Sequence, residues 1–145
     1  MSAKGSSVGA DELRELIEHA LGDLDIDERR GALLRATGLR VRLEVTDLDL
    51  VLRVRASDDV AHHLSWAFAG DEEAVGPAGL TLAMDSATAN AYLQGRASLP
   101  VAMARGQVRC SGDLSRALVY LPALHLLVEP YRAWMTKLHP HLAVA

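Results

Sequence analysis

Hydrophobic and polar positions along this chain switch repeatedly between helical and strand periods, and each switch marks the edge of a predicted element. Leu13, Leu16, Ile17, Ala20 and Leu21 repeat at the spacing of one helix face, which predicts a first helix capped by Asp11 and ended by Gly22. A second, short helix runs from an Asp27 cap through Leu33, Leu34 and Ala36 and closes at Gly38. The period then becomes two. Leu39, Val41, Leu43 and Val45 alternate with Arg40, Arg42 and Glu44, and Leu50, Leu52, Val54 and Ala56 alternate with Val51, Arg53 and Arg55. Successive strand side chains point to opposite faces, so both runs read as half-buried strands, joined antiparallel by the turn residues Thr46 to Asp49.

A third alternation, Leu64, Trp66 and Phe68, adds another strand, and the acidic, Gly- and Pro-bearing run from Gly70 to Gly79 reads as a loop. Leu80, Leu82 and Met84 form a fourth strand. Asp85 or Ser86 caps a helix over Ala87 to Gln94 that Gly95 ends, and Ser98 with Pro100 opens a short helix that stops at Gly106. Val108 and Cys110 alternate with polar neighbours as a fifth strand. Asp113 then caps a long apolar stripe from Leu114 to Leu138, which Pro122 and Pro130 should kink or divide, because each removes an amide donor and crowds the preceding turn.

The segment from Gly95 to Asp113, GRASLPVAMARGQVRCSGD, carries a specific combination: Gly95, the pair Ala102-Met103, Gly106, then Val108 to Asp113 ending in Gly112-Asp113. In this order it resembles the glycine-rich core signature of the sterol carrier protein-2 (SCP-2) family. The resemblance extends over most of the chain and is tightest from Leu80 to Leu121. It implies an α+β fold with a five-stranded mixed sheet covered by helices, and an apolar tunnel between them that takes fatty acyl chains, acyl-CoA or sterols. The chain departs from better-known members by lacking a Ser-Lys-Leu type C-terminus and by carrying an extended segment from Leu121 to Ala145.

Composition narrows the reading. At 145 residues the chain suits one domain, assigned to residues 11–145, preceded by a small, polar, loose tail over 1–10. Half the residues are hydrophobic but 4% are aromatic, so the interior is built from Leu, Val and Ala. A net charge of -4 excludes the basic face that nucleic acid requires. One cysteine, Cys110, precludes an internal disulfide and points to a reducing, cytoplasmic setting, with no leader or spanning segment expected.

The resemblance together with inward alternation places Trp66, Phe68, Leu82, Met84, Tyr92, Met103, Val108, Cys110, Leu118 and Leu121 along an apolar cavity, although ordinary core packing demands the same residue types there. Among Arg96, Arg105, Arg109, Arg116 and Arg132, which could meet an anionic head group, Arg105 and Arg109 flank the glycine-to-strand step and are the candidates for the mouth. The adjacent His62-His63 and the tail pair His139 and His141 read as solvated residues, with no metal site and no cofactor, and His125 as a core-edge imidazole. Asp71-Glu72-Glu73 reads as a solvated loop. No serine or cysteine triad assembles, so the chain is not expected to be an enzyme.

The function that follows is a non-enzymatic lipid-binding or transfer protein. Burying a 16-carbon chain at ~0.8 kcal/mol per methylene supplies roughly 13 kcal/mol, against association costs of about 4 to 15 kcal/mol, which gives the moderate affinity a carrier needs. The terminal segment with Tyr131, Trp134 and Met135 is expected to cover the tunnel or touch a membrane surface transiently. The alternative is an accessory subunit of the same fold, without cargo, that packs on a protein partner or a second copy.

Overall fold

The computed structural model describes residues 8–68 and 79–144. Helix α1 (Ala10–Asp25) is followed by α2 (Arg30–Ala36), strands β1 (Arg40–Val45), β2 (Leu50–Ala56), β3 (Leu64–Phe68) and β4 (Leu80–Met84), helices α3 (Ser86–Leu93) and α4 (Leu99–Ala104), strand β5 (Val108–Gly112), and helices α5 (Ala117–Leu124) and α6 (Val128–Leu138). The five strands form one sheet in the order β3-β2-β1-β4-β5. It is mixed: β1 and β4 run parallel, and the other neighbours are antiparallel.

Register explains how alternation becomes a core. Trp66 pairs with Val54 and Phe68 with Leu52, Leu52 with Leu43, Leu43 with Leu82, and Leu82 with Cys110. Directly paired residues point to the same face, so one apolar surface spans all five strands. The other face is polar, with Arg40 opposite Arg55 and Arg42 opposite Arg53. Ion pairs from Arg42 to Glu44 at 2.7 Å and from Arg55 to Asp58 at 3.2 Å temper that like-charge stacking. Helices cover the apolar face, and Tyr131, Leu13, Leu16, Ile17 and Leu24 are among its most deeply buried partners.

Several expectations shift. α1 begins earlier than an Asp11 cap implies: Gly9 is the cap, and Glu12 reaches back to accept its amide at 3.0 Å. Gly22 does not end α1, which runs on to Asp25, because burial of Leu21 and Leu24 outweighs the small propensity cost of an interior glycine. Asp27 does start α2, accepting the Arg30 amide at 2.7 Å, and Asp85 caps α3 through the Thr88 amide at 2.8 Å. Asp113 takes the Ser115 hydroxyl rather than an amide. The terminal stripe is divided, but at the single 3-10 turn His125–Leu127, not at either proline. Pro130 sits in the first turn of α6, where no amide donor is needed.

The loose tail expected over residues 1–10 falls mostly outside the described residues, yet Val8 within it is buried and Ala10 is helical. The loop expected from Gly70 to Gly79, with Asp71-Glu72-Glu73, lies outside them except for Gly79. The C-terminal segment packs into the core, and its Leu124 and Leu127 lie over the apolar face. Tyr131 and Leu142 are fully buried, and Trp134 stacks on His19 at 4.0 Å while donating to Asp23 at 2.7 Å.

Candidate functional site

The helices do not fill the apolar face completely. A small cavity of about 40 Å³ lies between sheet residues including Leu43, Leu52, Leu82 and Met84 and the helical residues Ala89, Tyr92, Leu93, Leu124 and Leu127. All its walls are apolar, so it stays dry. Beside it an open groove of about 1010 Å³ runs between the end of α3, helix α4 and helix α5, walled by Tyr92, Leu99, Pro100, Met103, Leu118, Leu121 and Pro122, with Arg96, Ser98 and His125 at its polar points. Small-molecule sites run from roughly 300 to 1,000 Å³. The cavity is far too small for an acyl chain and the groove is large enough.

Tyr92 belongs to both walls. The N-cap of Asp85 and the C-terminal Gly95, at φ +76°, fix α3 so that its last turn projects this side chain between sheet and groove. Only 8% of Tyr92 is exposed, and its buried hydroxyl has no hydrogen-bond partner. Burial pushes its ionisation up to about 12, so it remains a neutral donor. The His125 ring lies 6.5 Å from the Tyr92 ring, on the same groove. Burial also pushes the Cys110 thiol up, away from the thiolate that nucleophilic chemistry needs.

The residues expected along a cavity separate into groups. Leu82 and Met84 line the small cavity, and Met103, Leu118 and Leu121 line the groove, with Tyr92 in both. Leu118 is 87% exposed and forms the rim rather than the wall of an interior. Val108 is buried and Cys110 half-buried in the general core. Trp66 and Phe68 lie on β3, at the sheet edge remote from β5 and α4, where Arg14 stacks over Phe68 at 4.5 Å. Arg109 pairs with Ala83 on the polar face and borders a separate polar hollow with Asp85 and Gln107. Arg105 is an exposed cap of α4. The arginine that lines the groove is Arg96, placed by the turn after Gly95, and periodicity carries no signal for that choice because Arg96 lies between elements.

Solved structures settle the architecture. A Thermus thermophilus protein described as possibly a sterol carrier protein superposes with a TM-score of 0.60 over 90% of this chain and 92% of its own, at 15% identity. Sterol carrier protein 2 from Yarrowia lipolytica, in its apo form, superposes at 0.55 over 91% and 95%, at 12% identity. The chain has the sterol carrier protein 2 fold. The fold also occurs inside a larger enzyme: a sec-alkyl sulfatase double mutant matches at TM-score 0.50 and 15% identity over 83% of this chain, which spans 17% of that enzyme's length. No family model and no curated protein matches the sequence. The groove between α3, α4 and α5 is a concave, mostly apolar surface on this fold. None of the described helices is long and apolar enough to cross a membrane.

Proposed function

We propose that this chain is a non-enzymatic lipid-binding or transfer module that holds a fatty acyl, acyl-CoA or sterol-like molecule in the groove walled by Met103 and Leu121 and rimmed by Leu118. The observation that carries this reading is Tyr92, which lines both the groove and the small cavity and whose buried hydroxyl has no hydrogen-bond partner. An unpaired buried hydroxyl costs about 1–3 kcal/mol, a cost that a ligand oxygen would remove. Arg96 and His125 supply charge and polarity for a head group, while the remaining wall takes hydrocarbon. Exposed Leu118 gives the groove an apolar rim, and with exposed Leu114 and Val119 on the same run it offers a membrane surface a place to dock as cargo passes.

Displacement of a fluorescent fatty acid from delipidated protein tests this. Leu121→Arg and Met103→Arg place charge in the groove at half-buried positions, and each should weaken binding at least tenfold while leaving circular dichroism unchanged. Uptake of no lipid class by the wild type, or full binding by both variants, would overturn it. The same exposed apolar rim also supports the accessory-subunit reading. Native mass spectrometry of freshly purified protein separates the two, giving a lipid-bound monomer in one case and a lipid-free complex in the other.

A further inference from the structure

Outside the residues that line the groove, the end of α6 folds back onto the start of α1. His139 ends α6, Pro140 follows, and His141 lies in a single 3-10 turn. Leu142, fully buried, anchors that turn, and its carbonyl accepts from Asn90 Nδ2 at 3.1 Å and from Gln94 Nε2 at 2.8 Å. The two histidines that the sequence places in a loose tail are therefore held in fixed positions. Both face Glu12 of α1.

The donor geometry is that of a metal clasp. Glu12 Oε1 is occupied by the Gly9 amide, which leaves Oε2 turned to the histidines. His141 Nε2 lies 3.2 Å and His139 Nδ1 3.7 Å from that oxygen, and all three donor groups fall within 4.8 Å of one another. Tetrahedral zinc with ligand bonds of about 2.0–2.1 Å separates its donors by roughly 3.4 Å. The observed spacings bracket that value.

A fourth residue completes the argument. His139 Nε2 lies 2.7 Å from Glu15 Oε1. A neutral imidazole that donates through Nε2 presents a lone pair at Nδ1. That lone pair and Glu12 Oε2 are then two acceptors 3.7 Å apart, an arrangement stabilised by a cation shared between them. A carboxylate behind a ligating histidine is also the usual outer support of zinc sites, fixing the tautomer and the ring direction.

We infer that Glu12, His139 and His141 form a divalent transition-metal site, with Glu15 as the positioning residue for His139. Two imidazoles and one carboxylate suit zinc over calcium or magnesium, which demand oxygen ligands. Three protein ligands leave one coordination position for water. The site stands independently of any lipid in the groove. Bound metal ties the C-terminal turn to α1.

The test uses untagged full-length protein, stripped of metal and titrated calorimetrically with Zn²⁺, with Mg²⁺ and Ca²⁺ as comparison ions. One Zn²⁺ per chain should bind and neither comparison ion should, and Co²⁺ should give the visible absorption of a tetrahedral complex. His141→Ala changes a half-exposed side chain whose only hydrogen-bond partner among the described residues is Glu12, so it should fold normally and weaken Zn²⁺ binding at least tenfold. Glu15→Gln should weaken it about 10- to 100-fold, and His62→Ala, on the distant His62–Asp25 pair, should not change it. Absence of Zn²⁺ binding at millimolar concentration, or binding that survives His141→Ala, would show a proton-bridged histidine–carboxylate cluster instead and overturn the assignment.

Discussion

Two buried tyrosines should answer the same substitution with opposite signs. Tyr131 is fully buried and donates to Asn90 Oδ1 at 2.8 Å, an oxygen that also accepts from Gln94 Nε2 at 2.9 Å. Tyr131→Phe removes a satisfied hydrogen bond but leaves Asn90 a second donor, so the loss is the net value of one bond, about 0.5–1.5 kcal/mol. Tyr92→Phe removes a buried hydroxyl that has no partner. It abolishes a desolvation penalty of about 1–3 kcal/mol and leaves the ring packed as before. Ligand-free Tyr92→Phe should therefore be more stable than the wild type. Unfolding entropy of roughly 2.1 cal/mol/K per residue over this chain makes 1 kcal/mol worth about 3 °C, so the melting temperatures of the two variants should separate by about 5 °C or more. Urea denaturation and calorimetry on delipidated protein measure this directly. A destabilised Tyr92→Phe protein would refute the reasoning, since it would mean that the hydroxyl is satisfied in the ligand-free state. Fatty-acid affinity should move the other way and fall.

Two further predictions rest on equally local contrasts. Gly22→Ala and Gly31→Ala both insert alanine into a helix, normally a gain of about 0.5–1 kcal/mol, yet a Cβ at Gly22 meets open space while one at Gly31 overlaps the Leu24 carbonyl and the His63 ring. Chemical denaturation should show the first stabilised and the second destabilised by roughly 1–3 kcal/mol; equal effects would contradict the packing of α2 on α1. At the start of β3, burial raises the Asp25 carboxyl, but the amides of Leu64 and His63 together with His62 outweigh it and hold it below its ordinary 3.8, while its hydrogen bond raises His62 above 6.5. Asp25 thus stabilises the fold above pH 3.8 and loses that contribution as pH falls through its depressed value. His62 stabilises below pH 6.5 and loses its contribution as pH rises through its elevated value. In Asp25→Asn, the His62 titration followed by NMR should fall toward the ordinary imidazole value, with Asp59 still raising it; an unchanged midpoint would exclude the pairing.

Strand alternation is legible in the sequence because it obeys a local rule: Leu43, Leu52 and Leu82 face inward whatever lies opposite them. The mixed sheet is not, since the parallel pairing of β1 with β4 joins segments some 40 residues apart and leaves no mark on either strand. Inward direction also says nothing of depth. Trp66 and Cys110 point to the same face as Leu82, but one lies at the β3 edge and the other on β5, so only the central strands border the cavity. Arg109 is no mouth residue for the converse reason: it is one residue from Cys110, and on a strand one residue means the opposite face. His139 and His141 look like tail residues in the sequence because their place is set by Asn90 and Gln94, some 50 positions earlier.

The same network decides which part of the molecule can uncover its interior. Lifting α6 and the segment after it would strand Tyr131, Asn90, Gln94 and the Leu142 carbonyl, and would break the Val144 amide bond to Gln94 Oε1 at 2.8 Å. At about 1–3 kcal/mol for each stranded buried group, that opening would consume most of a typical domain stability of about 5–15 kcal/mol. The run Leu114 to Leu124 holds one such bond, from the buried Tyr120 hydroxyl to the Gly38 carbonyl at 3.1 Å, against several for the C-terminal segment. Leu114, Leu118 and Val119 are exposed, Leu121 is half-buried, and Pro122 has already removed one helical hydrogen bond. Helix α5 holds Leu121 and Pro122 on the groove and Leu124 on the small cavity, with Tyr92 in the walls of both. Fewer buried polar bonds hold α5 than hold α6 and the segment after it, so α5 is the element expected to move first when a ligand enters.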